Sequence, residues 1–246
     1  MNRLNWQMLL GAALVVLSII LYVAHYFIFH DPHHIFIYMV GDIAFVPIEV
    51  LLVTLILHRI LGYREKQVLL KKLNMVIGAF YNETGTELLV MLTPFLVDAE
   101  QVTPALRFKT TWKDADFNRA QSILTYETCW MNSKRQNMDE LKIFLESHKS
   151  FLLRLLENPN MLEHDSFTDL LWAVFHLADE LIHRERLTDL TNEDLEHLSG
   201  DMKRAYIVLV SEWLKYMNHI RIEYPYLFSI AVRTNPFDPS ARVEIA

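Results

Sequence analysis

The chain has 246 residues, 52% of them hydrophobic and 22% charged, with a formal net charge of -7 and a mean hydropathy of +0.15. Low Gly and Pro content with 12% aromatic residues excludes collagen-like and disordered classes, and scattered Lys and Arg on an acidic chain argue against a nucleic-acid partner. The single Cys129 permits neither an intramolecular disulfide nor a Cys-rich metal framework, as expected of a chain whose bulk sits in a reducing compartment.

The apolar excess is concentrated in residues 1–61. From Trp6 to Ala24 the run WQMLLGAALVVLSIILYVA carries no charge and is long enough to cross a hydrocarbon core of about 30 Å. A cleaved signal peptide is the rival reading, but its apolar region would be shorter and a second apolar run would not follow so soon. After the polar turn His30-Asp31-Pro32-His33-His34, the run IFIYMVGDIAFVPIEVLLVTLILHRIL supplies a second span despite two carboxylates. The expected hairpin occupies residues 1–62, with spans over about residues 6–28 and 35–61. Arg3 precedes it and Arg59, Arg64, Lys66, Lys71 and Lys72 follow it, while the turn holds no Lys or Arg. The positive-inside rule therefore places both termini in the cytoplasm of an inner (plasma) membrane protein and turns the histidines outward.

Asp42 and Glu49 are seven residues apart, on one helical stripe with Tyr38, and Glu49 lies near mid-span. A charged carboxylate there costs at least ~2.5 kcal/mol on insertion scales, so lipid exposure is excluded. The first span carries a matching stripe of Gln7, Gly11, Ser18, Tyr22 and His25. Folding about Pro32 brings Tyr22 to the depth of Asp42 and His25 to that of Tyr38, with Ser18 between Asp42 and Glu49. Two readings follow. Ser18 and Tyr22 hydrogen-bond the acids within one hairpin as packing glue, or several hairpins assemble with the acids facing a shared cation or proton path. Pro47 removes a backbone hydrogen bond beside Glu49 and suits either reading. In the outer turn His30, His33 and His34 offer imidazoles for metal or proton chemistry, although turn residues this close in sequence rarely reach tetrahedral geometry.

Beyond Gly62 the apolar spacing is three and four throughout, which predicts an all-α domain. The fold class is thus a two-span transmembrane helical hairpin followed by a cytoplasmic bundle of about five helices over residues 63–234, with an extended or surface-pinned tail at 235–246. The predicted helices are Tyr63 to Val97 with a break at Pro94, Trp112 to Ser133, Met138 to Glu157 behind the cap Asn137 with Glu140, Ser166 to Arg186, and Asn192 to Tyr224 behind Thr191 and Asp194. The stretch Asp98 to Thr111 reads as a loop. On the fifth helix Tyr206, Leu209, Trp213, Met217, Ile220 and Tyr224 form an aromatic face suited to core packing.

No nucleotide, hydrolase, zincin or calcium-hand motif occurs, and Cys129 has no activating base beside it, so the reading leans away from catalysis. Polar residues do interrupt the apolar stripes: Glu83 and Glu87 on the first cytoplasmic helix, Glu127 on the second and His148 on the third. Glu180-x-x-His183 on the fourth has the local spacing of di-metal bundles. A buried hydrogen-bond network or a solvated face accounts for these residues more simply than a divalent metal does, because His176, Glu180 and His183 lie opposite the apolar stripe. The leading functional expectation is a homo-oligomer in the bilayer whose carboxylates form or gate a cation or proton pathway, with a helical assembly and regulatory domain. The alternative is a membrane-anchored signalling or scaffold protein that binds a cytoplasmic protein partner. A metal-dependent enzyme in the bundle is the lesser one.

Overall fold

The computed structural model describes residues 3–136 and 138–244. Among these the chain is all-helical, and the one extended pairing is an isolated bridge between Leu96 and Met131. It divides into two compact units, Met1–Lys66 and Gln67–Ala246.

The first unit contains α1 (Arg3–Phe29) and most of α2 (Pro32–Phe80). The turn between them is made by His30, at φ 51°, and by Asp31, whose Oδ1 accepts from the backbone N–H groups of His33 at 3.0 Å and His34 at 3.3 Å. Asp31 therefore caps α2, and Pro32 occupies a first-turn position where its missing N–H costs nothing. The apolar windows Met8–Phe29 and Pro32–Glu65 have mean hydropathies of 2.3 and 2.2, and none of either window is buried. A helix this apolar in a globular core would be covered on all sides.

The second unit begins within α2 and holds α3 (Thr86–Leu92), the short α4 (Ala99–Val102), α5 (Asp114–Ser122), α6 (Asp139–Leu156), α7 (Asp165–Ile182), α8 (Asn192–Glu223) and α9 (Pro225–Arg233). Its core is lined by α7 (Phe167, Leu171, Val174, Leu181) and α8 (Leu198, Tyr206, Leu209, Trp213), all buried. The aromatic face predicted on the fifth helix is thus core, with only Tyr224 partly exposed at its end. Phe108 knits this core together, its ring centroid 5.1 Å from Trp213 and 5.3 Å from Phe228. The C-terminal segment is pinned against it: Asn235 Nδ2 donates to Leu106 O at 3.0 Å, and Phe237 packs 5.2 Å from Trp213.

Three sequence expectations need correction. The helix predicted from Tyr63 to Val97 is one helix with α2 as far as Phe80, then widens into a π-turn over Tyr81–Gly85 before α3. The i→i+5 spacing of that turn swings the following residues round, so Thr84, Leu88, Leu89 and Leu92 face the core while Glu83, Glu87 and Val90 face out. The second predicted helix stops at Ser122 instead of Ser133. Thr125 and Thr128 exchange side-chain and backbone hydrogen bonds with each other, and Thr128 Oγ1 donates to Ile123 O, which closes a turn in place of the helical ladder. Glu127 lies in that turn, exposed. The stretch read as a loop from Asp98 to Thr111 contains α4 and a 3-10 turn at Thr103–Leu106. The predicted cap Asn137 lies outside the described residues, whereas Thr191 does cap α8, accepting from the Asp194 backbone N–H at 3.2 Å.

Candidate functional site

The polar stripes of α1 and α2 meet. Ser18, Leu21, Tyr22 and His25 on α1, with Ile35, Tyr38 and Asp42 on α2, line a groove of about 390 Å3. Their spacing of three, four and seven puts each set on one helical face. Five of the six residues proposed from sequence as an intramembrane polar set are thereby gathered, and Glu49 lies outside the lining. His25 Nε2 is buried and has no hydrogen-bond partner, with its ring 4.6 Å from that of Phe29. No hydrogen bond joins Ser18 or Tyr22 to Asp42 among the described residues.

At the turn, His30, His33 and His34 are exposed, the His34 ring lies 4.8 Å from Tyr38, and the Asp31 carboxylate is engaged in its cap. These residues form no convergent donor set among the described residues.

In the helical unit the six metal-ligand candidates do not meet. Glu83, Glu87 and Glu127 are exposed and apart. His148 Nδ1 is 2.8 Å from Phe144 O in its own helix, and His183 Nδ1 is 2.8 Å from Asp179 O at the end of α7. Glu180 alone of the six joins a cluster, and its neighbours there are His176, His197 and Asp201, with one ligand atom from each residue lying within 4.8 Å of the others. His176 and Glu180 are one turn apart on α7, and His197 and Asp201 one turn apart on α8. His176 Nε2 lies 3.5 Å and His197 Nε2 3.2 Å from Asp201 Oδ2. His176 is 4.0 Å from Glu180 Oε1, and His197 is 3.6 Å from Glu180 Oε2. The Arg184 guanidinium donates to Glu180 Oε2 at 2.6 Å and holds that carboxyl below its usual range. Sequence reasoning missed His197 and Asp201, while His176 is exposed on the outward face of α7. The signal available was a repeated His-x-x-x-carboxylate pair on two successive helices joined by a short loop.

Residues 2–61 match the model described as "MJ1433, N-terminal helical domain", and residues 69–233 match "Uncharacterized protein MJ1433, C-terminal helical domain". The chain belongs to the MJ1433 family. A relative described as "Uncharacterized protein MJ1433", from Methanocaldococcus jannaschii, is 44% identical over 238 residues, covering 97% of this chain and 96% of its own length. No solved structure matches. Within the MJ1433 family frame the polar groove falls in the N-terminal helical domain and the histidine–carboxylate cluster in the C-terminal one.

Cys129 is buried, and burial pushes its thiol pKa up, which suits packing and not nucleophilic chemistry.

Proposed function

We propose that the two apolar helices form a hairpin in an inner (plasma) membrane and that its polar groove belongs to a cation or proton pathway completed by neighbouring copies of the chain. The groove itself carries the reading: Asp42, Tyr38, Tyr22, His25 and Ser18 share one concave surface within the apolar windows of the two helices. Such a set inside a bilayer is expensive unless water, an ion or another helix meets it. Two helices per chain cannot enclose a path, so the remaining wall comes from other subunits, and Glu49, outside the groove on the same stripe, is placed to meet one. The clustering of Arg59, Arg64, Lys66, Lys71 and Lys72 at and beyond the end of the second apolar run supports a cytoplasmic helical domain acting in assembly and regulation.

The test is flux of protons and monovalent cations into proteoliposomes. Asp42→Asn and Glu49→Gln keep shape and hydrogen-bonding capacity, so the oligomer persists while flux falls at least tenfold. Wild-type flux in both assembled variants, or a monomer in mild detergent, refutes the pathway. The exposed side chains of Tyr126 and Trp130, which line a groove of about 580 Å3 on the helical unit, favour the second reading, a scaffold that captures a protein partner. That reading predicts wild-type behaviour of both carboxylate variants.

A further inference from the structure

We propose that His176, Glu180, His197 and Asp201 bind one divalent transition-metal ion of the zinc type and that this ion ties α7 to α8. The inference is independent of the hairpin reading, because all four residues belong to the helical unit.

The local structure explains why four donors converge. A separation of four residues sets a histidine and a carboxylate on the same helical face. His176 lies nearest Asp201, and Glu180 nearest His197, so α7 and α8 run antiparallel here and present their pairs to each other. Asp201 Oδ2 lies 3.5 Å from His176 Nε2 and 3.2 Å from His197 Nε2, and Glu180 approaches His176 through Oε1 at 4.0 Å and His197 through Oε2 at 3.6 Å. Ligand bonds of about 2.0–2.2 Å in a tetrahedral site place donors about 3.3–3.6 Å apart, so four ligand atoms that already lie within 4.8 Å of one another close on an ion by contracting about it.

Asp201 supplies the independent observation. Its side chain is 4% exposed, and its Oδ2 is buried without a hydrogen-bond partner. Two imidazole nitrogens approach that oxygen, and neither approach meets hydrogen-bond geometry. A buried carboxylate oxygen left without a hydrogen bond is costly, and one aimed between two imidazoles and a second carboxylate is satisfied by a cation. The other carboxylate oxygens are already held: Arg204 donates to Asp201 Oδ1 at 3.1 Å, and Arg184 bridges Glu180 Oε2 at 2.6 Å to Asp194 at 3.1 Å. These guanidinium contacts orient the carboxylates as outer-shell partners do in metal sites. Two imidazoles with two carboxylates suit Zn2+, Co2+, Ni2+ or Fe2+ and disfavour Mg2+ and Ca2+, which take oxygen ligands. The histidine side chains are 45% and 53% exposed, so the ion enters from solvent without opening the core.

The experiment uses full-length protein in detergent, stripped with a chelator and titrated with Zn2+ and with Co2+ as a spectroscopic probe. The proposal predicts one equivalent per chain, a four-coordinate Co2+ spectrum displaced by Zn2+, and no competition from Mg2+ or Ca2+. His176→Ala and His197→Ala each weaken binding about tenfold or more, and the double variant abolishes the spectrum. Both histidines are half-exposed, so these variants keep the wild-type melting curve in chelator. His148→Gln and the triple change His30→Gln, His33→Gln, His34→Gln leave binding intact. The proposal is overturned by a wild-type chain that binds no equivalent, by binding that survives the double variant, or by binding lost in the triple variant.

Discussion

Two glycines on helices of the same domain are expected to respond to alanine in opposite directions. A Cβ on Gly85 would stand 2.6 Å from Tyr81 Cδ1 and 2.7 Å from Phe80 Cε1, whereas one on Gly200 meets nothing within 4 Å. Neither aromatic ring can retreat easily. Phe80 and Tyr81 are buried, Tyr81 OH donates to Leu209 O at 2.8 Å, and Phe80 packs edge-on to Phe167 at 5.4 Å. Overpacking of this kind costs about 1–3 kcal/mol, against a gain of about 1 kcal/mol from replacing glycine by alanine in a helix. Gly85→Ala should therefore lose up to about 2 kcal/mol, which for a domain of this size lowers Tm by up to about 8 °C. Gly200→Ala collects the helix gain without the clash and should raise Tm by about 2–4 °C. Near-UV circular dichroism melts of the detergent-solubilised chain in chelator give both shifts. A Gly85→Ala protein stabilised as much as Gly200→Ala would refute the packing of the π-turn and the register correction built on it.

Burial lowers the pKa of His219, whose Nδ1 lies 3.5 Å from Asn74 Nδ2, near the Lys71–Glu223 ion pair. The folded state then binds the proton less readily than the unfolded state, so this stability is fully present above the ordinary histidine range and is lost as pH falls through it. Denaturant midpoints measured on both sides of that range should fall toward acid in wild type and fall less in His219→Gln; equal slopes would contradict the assignment. Phe237→Ala empties the contact with Trp213 and should cost about 3 kcal/mol by denaturant titration, while a loss below about 0.5 kcal/mol would mean the C-terminal segment is not part of the core. A fragment beginning near Tyr63 should be soluble, helical and cooperative in melting, because the core of the second unit closes among its own residues. Aggregation of that fragment would show that the domain depends on the preceding helices.

The parts of the fold legible in the sequence are those written in local periodicity. Thr191 and Asp194 mark the start of α8, Pro225 its end, and the unbroken apolar runs identify α1 and the first part of α2. Local signals fail where one residue shifts a register or two hydroxyls offer the backbone another partner. The π-turn at Tyr81–Gly85 leaves no mark in a 3.6-residue pattern, which is why the apolar stripe extrapolates onto Glu83 and Glu87, residues that are exposed. Thr125 and Thr128 end a helix whose apolar spacing continues through Leu124 and Met131. The polar groove was legible because its two helices are adjacent and their stripes can be folded together by length alone. The histidine–carboxylate cluster was not: His176 and Glu180 lie opposite the apolar stripe of α7, and only the antiparallel approach of α8 brings His197 and Asp201 beside them.

The proposed hairpin carries both the proposed pathway and the proposed cytoplasmic location of the helical domain, and cysteine accessibility in intact cells tests it directly. The native Cys129 is buried and contributes little background. A thiol placed at His33 should react with an impermeant reagent added outside, while a thiol placed at Lys71 should react only after the membrane is permeabilised. The reverse pattern, or recovery of the unlabelled full-length chain in the soluble fraction, would contradict the account.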